Sequence, residues 1–187
     1  MKRVLIIEDR PLRRNSLLGE ELLERLKSLS NVVLSESLPE DYSSFDVIAI
    51  HKSYMDRNAL SSKLIATLSD KQKRLVVFSG GNYRQDLHFG GQLLVLSAKE
   101  FYSENLVSFI EELSVEEKCS DVILEKLVYG INNWELPVWA KIRNLEWLLQ
   151  DDESNCFLED QIDDLRKSLG ISQETDVNVL IAERLGV

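Results

Sequence analysis

Five residues could do chemistry together if folding brings them to one place: the acid pair Glu8-Asp9, then His51, Ser79 and Lys99. Adjacent carboxylates hold divalent cations or move protons. An imidazole is a base or a metal ligand near neutrality, while a hydroxyl and an ammonium suit contacts to an anion. Each lies at or just beyond the end of an apolar run. Val4-Leu5-Ile6-Ile7 leads into Glu8, residues 46–51 (Asp-Val-Ile-Ala-Ile-His) end on His51, residues 74–81 (Arg-Leu-Val-Val-Phe-Ser-Gly-Gly) carry Ser79, and residues 93–101 (Leu-Leu-Val-Leu-Ser-Ala-Lys-Glu-Phe) carry Lys99. In an open α/β sheet, ligands bind in the crevice outside the carboxyl ends of the strands. One polar site assembled from strand ends is the expectation.

The elements that must position these residues follow from hydropathy. Residues 3–7 are apolar on both faces, as in a sheet covered on both sides. Leu18, Leu22, Leu26 and Leu29 recur at helical spacing and predict a helix from about 12 to 29. A short strand over 31–34, a strand over 45–50, a helix around Leu60–Leu68 with Asn58 as its N-cap, and strands over 75–78 and 93–96 come next. Residues 104–113 close the array as a helix. Between Gly80 and Gly91, four glycines flank a polar, aromatic-dotted stretch, which reads as a loop with at most one turn of helix. After Ser114 only helical patterns remain, at about 115–129, 137–150, 158–169 and 175–185. Trp139, Ile142 and Trp147 share one face and read as a small core. Strands alternating with helices give a parallel sheet with right-handed crossovers. The expected fold is α/β: a doubly wound five-stranded parallel sheet in residues 1–113, followed by a small all-α domain in 114–187.

The strand-end set and its order resemble the receiver domain of bacterial response regulators, whose topology is flavodoxin-like. In that family the acid pair and an acceptor aspartate hold Mg²⁺, and the hydroxyl and lysine contact the phosphoryl group. The resemblance implies that Glu8 and Asp9 match the acid pair, Ser79 the hydroxyl and Lys99 the lysine. His51 stands where the acceptor aspartate belongs, and Lys99-Glu100-Phe101 replaces the family's Lys-Pro-Phe. An aspartyl phosphate needs a carboxylate nucleophile beside Mg²⁺, and imidazole is a poor Mg²⁺ ligand. Three roles compete for His51: a ring hydrogen-bonded to Asp9 or Glu8, a transition-metal ligand with those two acids, and a phosphorylated histidine. Asp56 is a displaced acceptor candidate in a loop. The family's partner-binding face implies an interaction surface of Tyr83, Arg84, His88, Phe89, Phe101 and Tyr102.

Charge and motifs restrict the remaining classes. Residues 1–114 carry 15 Lys and Arg against 16 Asp and Glu, a net of −1; residues 115–187 carry 7 against 16, a net of −9, together the −10 of the whole 187-residue chain. Duplex-DNA binding needs clustered positive charge, so no DNA partner is expected. Arg10, Arg13 and Arg14 read as a solvated face, or else as an anion site. Ser79-Gly80-Gly81 lacks the longer Gly-rich pattern ending in Lys-Ser/Thr, and no Gly-x-Ser-x-Gly elbow supports a Ser79–His88 hydrolase. The short first apolar run and the absence of a long one argue against a signal peptide or membrane span. The two cysteines, Cys119 and Cys156, lack metal spacing and suit a reduced, cytoplasmic protein. The expected function is that of an atypical, pseudo-receiver signalling or adaptor protein without conventional aspartyl phosphorylation. It would engage a protein partner, basic by complementarity, or a second copy of itself. No cofactor is expected, with Mg²⁺ or a transition metal as the ions that the acid pair would take. The alternatives are a metal-dependent hydrolase using Glu8, Asp9 and His51, and a nucleotide or nucleic-acid sensor.

Overall fold

The structure is a computed structural model that describes residues 1–81, 85–115, 122–152 and 154–187. Its centre is a six-stranded, mostly parallel sheet: β1 (Val4–Ile7), β2 (Val32–Ser35), β3 (Val47–His51), β4 (Arg74–Ser79), β5 (Asp86–His88) and β6 (Leu93–Ser97), in the order β2-β1-β3-β4-β6-β5. Every residue of β1 and β3 is buried. Alternation divides them between two apolar clusters. Val4, Ile6, Val47, Ala49, Val76 and Phe78 face one, and Leu5, Ile7, Ile48, Ile50, Leu75 and Val77 face the other. The uninterrupted apolar runs of the sequence therefore mark strands covered on both sides. Register brings the carboxyl ends level: Ile7 lies beside Ile50, His51 beside Phe78, and Ser79 beside Ser97.

The sixth strand corrects the expected five-stranded sheet and the expected loop over 80–91. Asp86–His88 pairs antiparallel with Leu93–Val95. Phe89, Gly90 and Gly91 all take positive φ (52°, 59° and 77°) and reverse the chain, a conformation that two consecutive glycines make accessible. Buried Gln92 anchors the return, its Nε2 donating to the Asp70 carbonyl at 2.9 Å. The unsatisfied edge of β6 selects a strand there, and three residues are too few for a period-two pattern to reveal it.

Helix α1 (Pro11–Ser28) breaks at Gly19 (φ 73°, ψ 172°), which resets its phase. Leu18, Leu23 and Leu26 are buried in consequence, whereas Leu22 and Leu29 of the expected stripe are only partly covered. A short helix absent from the sequence reading, α2 (Lys52–Arg57), starts directly at the end of β3. His51 is its N-cap, and Asn58 is its C-cap rather than the start of α3 (Ser61–Ala66). Asp56 thus lies in a helix, ion-paired with Lys52 at 2.6 Å. Helices α4 (Ala98–Phe101) and α5 (Glu104–Ser114) follow β6.

Past residue 114, α6 (Glu125–Tyr129) joins the sheet: Val122, Leu124 and Leu127 pack in the same cluster as α1 and α5. Helices α7 (Glu135–Asp151), α8 (Cys156–Leu169) and α9 (Val177–Leu185) build a third cluster around Val138, Ile142, Ile162, Leu165 and Val177. Trp139 packs against it, but Trp147 is 64% exposed and lies outside it. Buried Arg166 ties α8 to the following loop by donating to the Ser172 and Thr175 carbonyls at 2.6 and 3.1 Å, and pairs with Glu146 of α7. Among the described residues, no helix is long and apolar enough to cross a membrane.

Candidate functional site

At the carboxyl edge of β1 and β3, Glu8, Asp9 and His51 converge, each offering one ligand-type atom within 4.8 Å of the others. The three are held by different local devices. Glu8 follows a strand buried on both faces and is itself wholly buried. One of its oxygens, Oε1, accepts from Arg13 Nη2 at 2.7 Å and from the Arg10 backbone N–H at 3.0 Å. Asp9 Oδ2 is ion-paired with Arg57 of α2. His51 caps α2: its Nδ1 accepts from the Ser53 N–H at 3.2 Å and lies 2.8 Å from Ser53 Oγ. Its ring packs edge-on against Phe78 at 5.5 Å.

Each residue thus spends one polar atom on an orienting partner and leaves the other free. Glu8 Oε2, Asp9 Oδ1 and His51 Nε2 are all buried without a hydrogen bond. The Tyr102 hydroxyl is buried nearby, close enough to the Glu8 carboxylate to interact with it. Burial, reinforced by the Glu8 charge, pushes the Tyr102 phenol far above its usual range, so it stays protonated. Burial and the Arg13 guanidinium push the His51 imidazole down, against the pull of Glu8 and Asp9. The ring is therefore favoured in its neutral form, which can act as a base or a metal ligand.

The two other expected members behave differently. Ser79 is half-buried at the end of β4, with the Gly81 N–H 3.5 Å from its Oγ. Lys99 is exposed on α4 and, among the described residues, makes no ion pair with Glu8 or Asp9. The cause is local. Ser97 and Glu100 form a reciprocal capping box, Ser97 Oγ accepting from the Glu100 N–H and Glu100 Oε2 accepting from the Ser97 N–H. This box starts a helical turn directly after β6 and carries Lys99 on its outer side. Arg13 supplies the cation at the carboxylates instead. It reaches Glu8 and also stands 3.5 Å from where a Cβ on Gly80 would lie.

The surface assigned from the sequence needs correction. Phe101 and Tyr102 are 1% and 2% exposed, not surface residues. Phe101 stacks on Phe78 at 4.3 Å, and Tyr102 meets both rings edge-on. The turn that sends Lys99 outward sends Phe101 inward. Phe89 and His88 are exposed, His88 Nε2 lying 3.6 Å from Asp86, while Tyr83 and Arg84 lie outside the described residues. Arg57 is the site residue that sequence reasoning missed; it is 48 positions from its partner and carried no signal. Arg13, read as a solvated face or an anion site, instead pairs with Glu8, and Tyr102, read as surface, is buried beside the acid pair.

No family model, curated protein or solved structure matches the chain.

Proposed function

We propose that the chain is a receiver-like signalling or adaptor protein that works through protein contacts and does not form an aspartyl phosphate. In this reading the five parallel strands, in the order β2-β1-β3-β4-β6, are a doubly wound, flavodoxin-like sheet with an added antiparallel edge. The observation that carries the reading is the substitution of chemistry at the end of β3. A neutral imidazole occupies the acceptor position, and Arg13 and Arg57 already neutralise the acid pair. Phosphoryl transfer to carboxylate needs an oxygen nucleophile with a cation free to move onto the phosphoryl oxygens. Lys99, turned to solvent, does not provide it.

A partner would meet an acidic surface. Residues 115–187 carry a net charge of −9, and exposed Glu159 and Asp160 on α8 extend the acidic end of α7 at Asp151 and Asp152. Such a field favours encounter with a basic protein segment. The test is incubation with acetyl phosphate and Mg²⁺, followed by intact-mass measurement. No phosphoryl adduct is expected. A hydroxylamine-sensitive adduct on Asp9 or Asp56 would overturn the reading.

A further inference from the structure

Glu8 Oε2, Asp9 Oδ1 and His51 Nε2 are three buried polar atoms with no partner, all at one edge of the sheet. Native proteins rarely leave such atoms unsatisfied, because each costs about 1–3 kcal/mol. We propose that this triad is a binding site for a divalent transition-metal ion such as Zn²⁺, Mn²⁺ or Co²⁺. The proposal does not rest on the adaptor reading.

Size is the first argument. One ligand-type atom of each residue lies within 4.8 Å of the others; three atoms so spread all fall within about 2.8 Å of some common point, and metal–ligand distances of about 2.0–2.2 Å require each side chain to close in by well under one ångström. The second argument is the outer shell. Ligands of a metal site are held by hydrogen bonds on their other polar atom. That arrangement is present on both carboxylates, as Arg13 on Glu8 Oε1 and Arg57 on Asp9 Oδ2, and the His51 ring is oriented through Nδ1 by Ser53.

The imidazole tautomer decides how the ion enters. Without metal, the Ser53 N–H points at Nδ1, so Nε2 carries the ring hydrogen. Ser53 Oγ lies 2.8 Å from the same Nδ1 and accepts a hydrogen from it once the ring switches tautomer. That switch frees the Nε2 lone pair for the metal without changing the charge of the ring.

Ligand chemistry sets the choice of ion. Two carboxylate oxygens and one imidazole nitrogen suit borderline divalent ions, whereas Mg²⁺ demands a shell of oxygens. The arginines on both carboxylates reduce the attraction for any cation, so moderate rather than tight affinity is expected.

The experiment uses the full chain after treatment with chelator. Co²⁺ is titrated while its visible d–d bands are followed, and Zn²⁺, Mn²⁺ and Mg²⁺ are titrated by calorimetry. One equivalent of Co²⁺ and Zn²⁺ is expected to bind, with Mg²⁺ much weaker. His51→Ala should weaken Zn²⁺ binding by more than about tenfold, and Ser53→Ala, which leaves all three ligands in place, by about tenfold. His51→Asp should move the preference toward Mg²⁺. Circular dichroism reports whether each variant folds, and Ser53→Ala carries the test if the ligand variants do not. His88→Gln, on β5, should change nothing. Absence of Zn²⁺ and Co²⁺ binding at millimolar metal, or binding unchanged in His51→Ala and Ser53→Ala, would overturn the proposal and leave ordered water as the occupant. Either result leaves the acetyl phosphate experiment independent, since that assay reads the nucleophile and not the ion.

Discussion

Replacing Arg13 by Met should destabilise the protein through Glu8 rather than through Arg13 itself. Glu8 is wholly buried, and Arg13, at 26% side-chain exposure, is the only ion-pair partner of that carboxylate among the described residues. Removing one member of a buried pair typically costs about 3–5 kcal/mol, because the remaining charge is stranded in a poorly polarisable environment. Two features reduce this. The Arg10 N–H stays bonded to Glu8 Oε1 at 3.0 Å, and Arg13 already borders water. We therefore expect a loss of about 2–4 kcal/mol for Arg13→Met, or about 4–16 °C in Tm at about 2–4 °C per kcal/mol for a chain of this size. Glu8→Gln in the Arg13→Met background removes the stranded charge and should recover about 0.5–3 kcal/mol. Urea unfolding of the wild type, both single variants and the double variant closes the cycle. A coupling near zero, or an Arg13→Met Tm within a degree of wild type, would refute the claim that the guanidinium holds the buried acid.

Two further outcomes follow from burial. Glu125 is 1% exposed, and burial raises its pKa against the opposing pull of its own backbone N–H, the Ser168 hydroxyl, Lys141 and Arg74. A raised folded-state pKa gives stability that is full below the unfolded value of 4.5 and is lost as pH rises through the folded value. Glu125→Gln should therefore raise Tm at about pH 8 and lose that advantage near pH 4.5, whereas an equal effect at both pH values would contradict the assignment. Phe101→Ala should cost about 3–5 kcal/mol in urea unfolding, as for a fully packed aromatic, and a loss below about 0.5 kcal/mol would return Phe101 to the surface.

Part of this molecule was legible in its sequence. Val4–Ile7, Val47–Ile50, Leu75–Phe78 and Leu93–Leu96 are apolar on both faces, and runs so short, rich in β-branched residues and bounded by polar ones, favour strands in a covered sheet over a buried helix. Because β1 and β3 are both parallel and in register, the residues that follow them, Glu8, Asp9 and His51, arrive at one edge together. That much follows from local pattern plus the geometry of parallel strands. Tertiary structure decided the rest. The edge of β6 recruits Asp86–His88 as a strand, although three residues carry no pattern of their own. Gly19 resets the phase of α1, and the Ser97–Glu100 capping box turns Lys99 to water and Phe101 into the core. Arg57 reaches Asp9 across 48 positions because α2 begins where β3 ends. Burial is recorded locally, since each residue's hydropathy must match its own surroundings. Pairing is not, since the partner of a carboxylate depends on which distant element the completed sheet brings beside it.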